Sequence, residues 1–108
     1  MEALDQGSRP VFSRVSNLLR RTIVFTGRGT RERSQLRRLA RRAGAFPAST
    51  VSRQVDVLVV GGRSPVWAAG GAGRKILTAL QLRDDGHDIR FVKESSFLSA
   101  AGRVSRRH

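Results

Sequence analysis

Thr22-Ile23-Val24-Phe25-Thr26-Gly27 is the stretch on which the reading of the chain turns. A run of β-branched and aromatic residues that stops at a hydroxyl and a glycine predicts a buried strand ending in a tight turn. Arg28-Gly29-Thr30 then leads into an arginine-rich helical pattern, so the strand delivers Thr26 and the Gly27 amide to the mouth of a helix. Such a corner can hold an anion, because free amides and the positive end of a helix dipole point into it.

Downstream, Thr30 can cap a helix to about Ala43, with Leu36, Leu39, Ala40 and Ala43 as one apolar stripe and Gly44 as its stop. Ala45-Phe46-Pro47-Ala48-Ser49 reads as a short strand, confined to an edge or a strand start by its proline. Val55-Asp56-Val57-Leu58-Val59-Val60 is the other central strand, ended by Gly61-Gly62. Arg63 to Gly73 is a Gly, Ala, Ser and Pro-rich loop that carries Trp67, which either stacks on a base or partner or tucks against the nearest apolar patch. Gly73-Arg74-Lys75 opens a helix through Leu82 with Ile76, Leu77 and Leu80 inward, and Asp84-Asp85-Gly86 stops it. Ile89 to Val92 is the last strand, and Glu94 starts a helix packed through Phe97, Leu98 and Ala101.

Upstream, residues 1–7 read as frayed and polar. From Pro10 the apolar Val11, Phe12, Val15, Leu18 and Leu19 recur at helical spacing, with Ser8 and Pro10 as a start. This predicts an amphipathic helix from Val11 to Arg21 whose other face carries Arg9, Arg14, Arg20 and Arg21. That helix either touches a DNA backbone, lies on a membrane surface or packs on the domain with its arginines in water.

Helices alternating with strands over short connections favour a parallel sheet covered on both faces. The expected fold is therefore α/β, a four-stranded parallel sheet flanked by three helices, plus the N-terminal amphipathic helix. The expected division is a basic extension over 1–20, one domain over 21–101 and a basic tail over 102–108.

The 108 residues leave room for one modest core and one site, and their net charge of +13 implies attraction to polyanions. Only Lys75 and Lys93 are lysines, so nearly all the positive charge is arginine, which forks onto phosphate in a planar, bidentate way. Cysteine is absent, and His87 and His108 are the only histidines, which argues against disulfides, thiolate chemistry and a histidine zinc site. No apolar run is long enough to span a bilayer, and Met1 to Asp5 lacks the layout of a signal peptide, so a soluble intracellular protein is expected. Asp56, Asp84, Asp85, Asp88 and Glu94 are scattered at expected turns and caps, with no serine, histidine and acid arranged for catalysis. Gly27-Arg28-Gly29 lacks the third glycine of a dinucleotide fingerprint, and Gly73-Arg74-Lys75-Ile76 lacks the spacing of a P-loop. The expectation is a non-enzymatic binding module without cofactor or metal.

Five pieces in register carry a family resemblance: Val24-Phe25-Thr26-Gly27, Ala43-Gly44-Ala45, Val55 to Gly61, Gly73-Arg74-Lys75 and Glu94-Ser95-Ser96-Phe97-Leu98. From about Arg21 to Ala101 the chain resembles a BRCT domain, most of all the kind at the C-terminus of bacterial NAD-dependent DNA ligases. It departs from the family at Phe97, where tryptophan is usual, at Gly44-Ala45 in place of Gly-Gly, and in a longer loop before Gly73. The resemblance implies that phosphate is held by the hydroxyl ending the first strand, the next glycine amide and a lysine opening the second helix, which here are Thr26, Gly27 and Lys75. Members that recognise 5′-phosphorylated DNA ends, such as the domain in the large subunit of replication factor C, add an arginine early in the first helix. Alignment of the apolar stripes puts Arg33 there.

A hydroxyl, a free amide, an ammonium and a guanidinium converging on one volume all favour negative charge. The bland alternative leaves Thr26 satisfying its turn and Lys75 in solvent. Further contacts to the DNA backbone are expected from Arg14, Arg20, Arg21, Arg28, Arg31, Arg37 and Arg74. DNA, as 5′-phosphorylated ends or duplex backbone, is the expected partner, in a bacterial cytoplasm at the nucleoid or in a nucleus. The competing readings are an adaptor that docks on a phosphopeptide or an unmodified replication or repair protein, and an oligomerising module with an inert corner.

Overall fold

A computed structural model of the protein describes residues 12–15, 17–27, 29–61 and 73–106. The chain forms β1 (Thr22–Thr26), α1 (Arg33–Arg42), β2 (Phe46–Ala48), β3 (Val57–Val60), α2 (Gly73–Asp84), β4 (Arg90–Lys93) and α3 (Glu94–Arg106). The four strands make one all-parallel sheet in the order β2-β1-β3-β4. β1 and β3 are central, which is why both are almost wholly apolar: a parallel strand covered on two faces has no solvent side on which to carry polar residues. Pro47 sits in β2, an edge strand, where its missing N–H is tolerated.

Alternation along the strands divides the core in two. Ile23, Phe25, Val57, Val59 and Val92 face α1 and α3, packing on Leu36, Ala40, Phe97 and Ala100. Val24, Leu58, Val60 and Phe91 face α2, packing on Ile76 and Ala79. Phe97, fully buried, meets the Phe25 ring edge to face at 5.1 Å between centroids. Both glycine helix stops form as expected: Ala45 N–H reaches Ala40 O and Gly44 N–H reaches Arg41 O, the paired bonds that close a helix over a left-handed glycine. His87 and Gly86 repeat the pattern on Leu82 and Arg83.

Three expectations change. The helix expected from Val11 to Arg21 is not formed among the described residues there. Phe12 instead bridges Phe91 on β4, Ser13 N–H donates to Phe91 O, and Val15 and Leu18 drop into the core under α1 and α3. The segment then turns at Arg20, whose φ is +62°, and Arg20 N–H reaches Gly44 O beside β2. Apolar residues three apart thus serve a strap running from one sheet edge to the other, and unpaired backbone at an edge strand is a ready partner for such a strap. Leu77, expected inward, is 63% exposed, with Ala79 filling the buried position instead. α3 runs on to Arg106, past the tail expected from residue 102.

Candidate functional site

The order of the sheet creates the site. β1 is followed by α1 on one face and β3 by α2 on the other, so two helices leave adjacent strand ends in opposite directions. In open parallel sheets the crevice beyond such a pair of carboxyl ends is where ligands bind. Thr26 and Val60 are register partners at that rim, and Gly61 N–H donates to Thr26 O at 2.8 Å. Gly27 then turns with φ +79°, and a Cβ there would lie 2.6 Å from Gly61 O, so the close approach of turn and strand excludes any side chain.

Two cations arrive from opposite sides of the sheet. From α1, Arg33 donates through Nη1 to Phe25 O at 2.7 Å and through Nη2 to Gly27 O at 3.1 Å. From α2, Lys75 Nζ donates to the same Phe25 O at 3.0 Å. Phe25 O belongs to the peptide that leads into Thr26, so ammonium and guanidinium bracket the end of β1. Thr26 is buried, alternates onto the α2 face with Val24, and its hydroxyl takes no partner among the described residues. The structure thus brings together Thr26, Gly27, Arg33 and Lys75, four residues spread over half the sequence.

No carboxylate pairs with either cation among the described residues. Burial first, then the charges of Arg33 and Arg37, hold the Lys75 ammonium below its usual pKa. Two neutral carbonyl oxygens offset this repulsion only in part.

The remaining arginines are dispersed. Arg31 is exposed just before α1, Arg74 is exposed in the first turn of α2, and Arg37 is half-buried one turn after Arg33. Arg14, Arg20 and Arg21 are exposed on the strap, with Arg20 and Arg21 at the opposite end of β1 from Thr26. Arg28, Trp67 and the loop from Arg63 up to Gly73 lie outside the described residues.

Sequence reasoning missed the acid that supports this corner. Glu94, at the start of α3 and 8% exposed, accepts from Thr30 N–H at 2.9 Å, Thr30 Oγ1 at 3.1 Å and Arg31 N–H at 3.3 Å. Thr30 therefore does not cap α1. Glu32 occupies the capping position without a side-chain bond, and the donors expected to serve the helix start go to Glu94 instead. A Cβ on Gly29 would meet that carboxylate, so a side chain there would push Glu94 off these bonds. The only signal in sequence was an acid placed directly after a core strand. Asp56, expected within the strand, lies just before β3, and its Oδ2 accepts Thr22 N–H at 3.0 Å.

Neither a protein-family model nor a curated protein matches the chain. Among the described residues no group of His, Asp or Glu could hold a metal ion, and no helix is long and apolar enough to cross a membrane. What the corner offers chemically is a hydroxyl, a turn amide, an ammonium and a guanidinium with no counter-ion among the described residues, a set suited to an oxyanion.

Proposed function

We propose that the protein is a non-catalytic DNA-binding module of the BRCT kind it resembles, and that its corner receives the 5′-phosphate of a DNA end. In this reading Arg31 and Arg74 reach the adjoining backbone, and the module serves replication or repair wherever chromosomal DNA lies, nucleoid or nucleus. The observation that carries the reading is the meeting of Arg33 and Lys75 on one carbonyl next to Thr26, where among the described residues the Thr26 hydroxyl has no partner and neither cation a carboxylate. Two part-buried cations sharing a neutral acceptor repel each other, so a dianion of matching size would relieve the repulsion and serve the remaining donors at once. The parallel sheet, the two helices on one face with one on the other, and a net charge of +13 are compatible with the same reading.

The test is binding of duplexes with and without a 5′-phosphate across a salt series. The phosphorylated end should be preferred, on top of a steep salt slope common to both duplexes. Lys75→Ala and Thr26→Ala should each cut the preference, Lys75→Ala by about tenfold or more for a lost charge-assisted bond. Equal affinity for the two ends rejects the reading and leaves backbone binding or a protein partner.

A further inference from the structure

Arg37 lies four residues after Arg33 on α1, the spacing at which helical side chains are neighbours. Arg33 uses two N–H groups on the Phe25 and Gly27 carbonyls, whereas Arg37 makes no hydrogen bond among the described residues. Its Nε is closed off from solvent and unpartnered. Native structures rarely leave such a donor orphaned, and where they do an ion or water usually accounts for it. The charge of Arg37 is felt at Lys75, which brings its positive charge to bear on the same corner.

Three positive charges thus bear on one corner. An internal phosphodiester brings a single negative charge, whereas a terminal phosphomonoester brings about −1.5 to −2 at neutral pH and three acceptor oxygens. Arg33 and Lys75, fixed on the Phe25 carbonyl, suffice for either. We propose that Arg37 is the third cation of the site and makes it selective for a terminal phosphomonoester over the diester of internal DNA. This rests on the reading of the corner as a phosphate site and adds to it a residue and a charge state. Arg41, one turn further along the same row, is exposed in the last turn of α1, a cation of equal charge outside the corner.

The experiment measures the full chain by fluorescence anisotropy against one duplex bearing a 5′-phosphate and the same duplex with a 5′-hydroxyl, for wild type, R37Q, R37K and R41Q. The readout is the affinity ratio within each variant, from which any loss of active protein cancels. R37Q should lower the ratio about tenfold, the worth of one charge-assisted hydrogen bond. R37K should fall between wild type and R37Q, since it keeps the charge and loses the fork. R41Q should weaken both duplexes in proportion and leave the ratio unchanged. A ratio in R37Q equal to that of wild type overturns the role of Arg37 while the phosphate site stands. No preference in wild type overturns both. Should glutamine at 37 prevent folding, R37M, which keeps an unbranched apolar stem and drops the charge, decides by the same ratio: one equal to wild type rejects the proposal.

Discussion

Lys75 is a residue at which stability and binding pull apart. Its ammonium is partly desolvated and faces Arg33 and Arg37, so the folded protein holds that proton less tightly than the unfolded chain does. Between the lowered folded value and the ordinary 10.5 the unfolded state binds more protons, and stability rises with pH through that window. Below the window both states are protonated and the penalty is constant. Lys75→Met removes the penalty, so its melting temperature at neutral pH should exceed that of wild type while its selectivity for a 5′-phosphate disappears. Circular dichroism melts from neutral to alkaline pH decide this, and a variant that melts below wild type throughout refutes the electrostatic account. Gly27 sits at the other extreme, where geometry allows no exchange. Its φ of +79° and the 2.6 Å from an added Cβ to Gly61 O mean that Gly27→Ala must both strain the turn and push apart the ends of β1 and β3. The expected cost is about 2 kcal/mol or more, read as a lower urea midpoint at unchanged slope.

At the scale of elements, α3 starts directly where β4 ends, and that junction projects the Glu94 carboxylate across to the turn before α1. Glu94→Ala strands three donors at Thr30 and Arg31, for an expected loss of about 2 to 3 kcal/mol, whereas Glu94→Gln keeps an acceptor and should lose less. Because those donors lie two and three residues before Arg33, Glu94→Ala should also weaken 5′-phosphate binding measured on the folded fraction. Binding at wild-type strength in stably folded Glu94→Ala would confine Glu94 to a structural part. The same junction explains what could and could not be read from the chain. β1 and β3 declare themselves by apolar runs, α1 and α2 by stripes closed with Gly44 and Gly86, and Thr26-Gly27 by the strand-to-turn pattern; all these signals are local. The pairing of Glu94 with Thr30 spans 64 residues and has no local signature, so a plausible cap was read in its place. Phe12, Val15 and Leu18 misled for another reason, since a spacing of three serves a strap across the sheet as well as a helix. Arg33 and Lys75 entered through family resemblance alone, because the spacing of neither marks a site.

At the scale of the molecule, the sheet separates the cations into two populations. Arg31, Arg33, Arg37, Arg74 and Lys75 gather around the carboxyl ends of β1 and β3, while Arg20 and Arg21 sit beyond Thr22, about 13 Å away along β1 at the usual rise per residue. At that far end Arg41, Arg42, Arg53, Arg83 and Arg90 stand with Asp56, Asp84, Asp85 and Asp88, so the positive field there is offset only in part. A DNA end seated at the corner should therefore meet the first population and not the second. Each arginine that touches a phosphate releases counterions, and its loss lowers the slope of log affinity against log salt by about 1. Arg31→Gln and Arg74→Gln should each reduce the slope by about that amount, whereas Arg20→Gln and Arg21→Gln should leave it within about 0.3 of wild type. The four slopes together locate the duplex. If Arg20 and Arg21 carry as much of the slope as Arg31 and Arg74, the backbone runs along the strap and the amino ends of the strands. The corner at Thr26 would then lie off the path of the DNA.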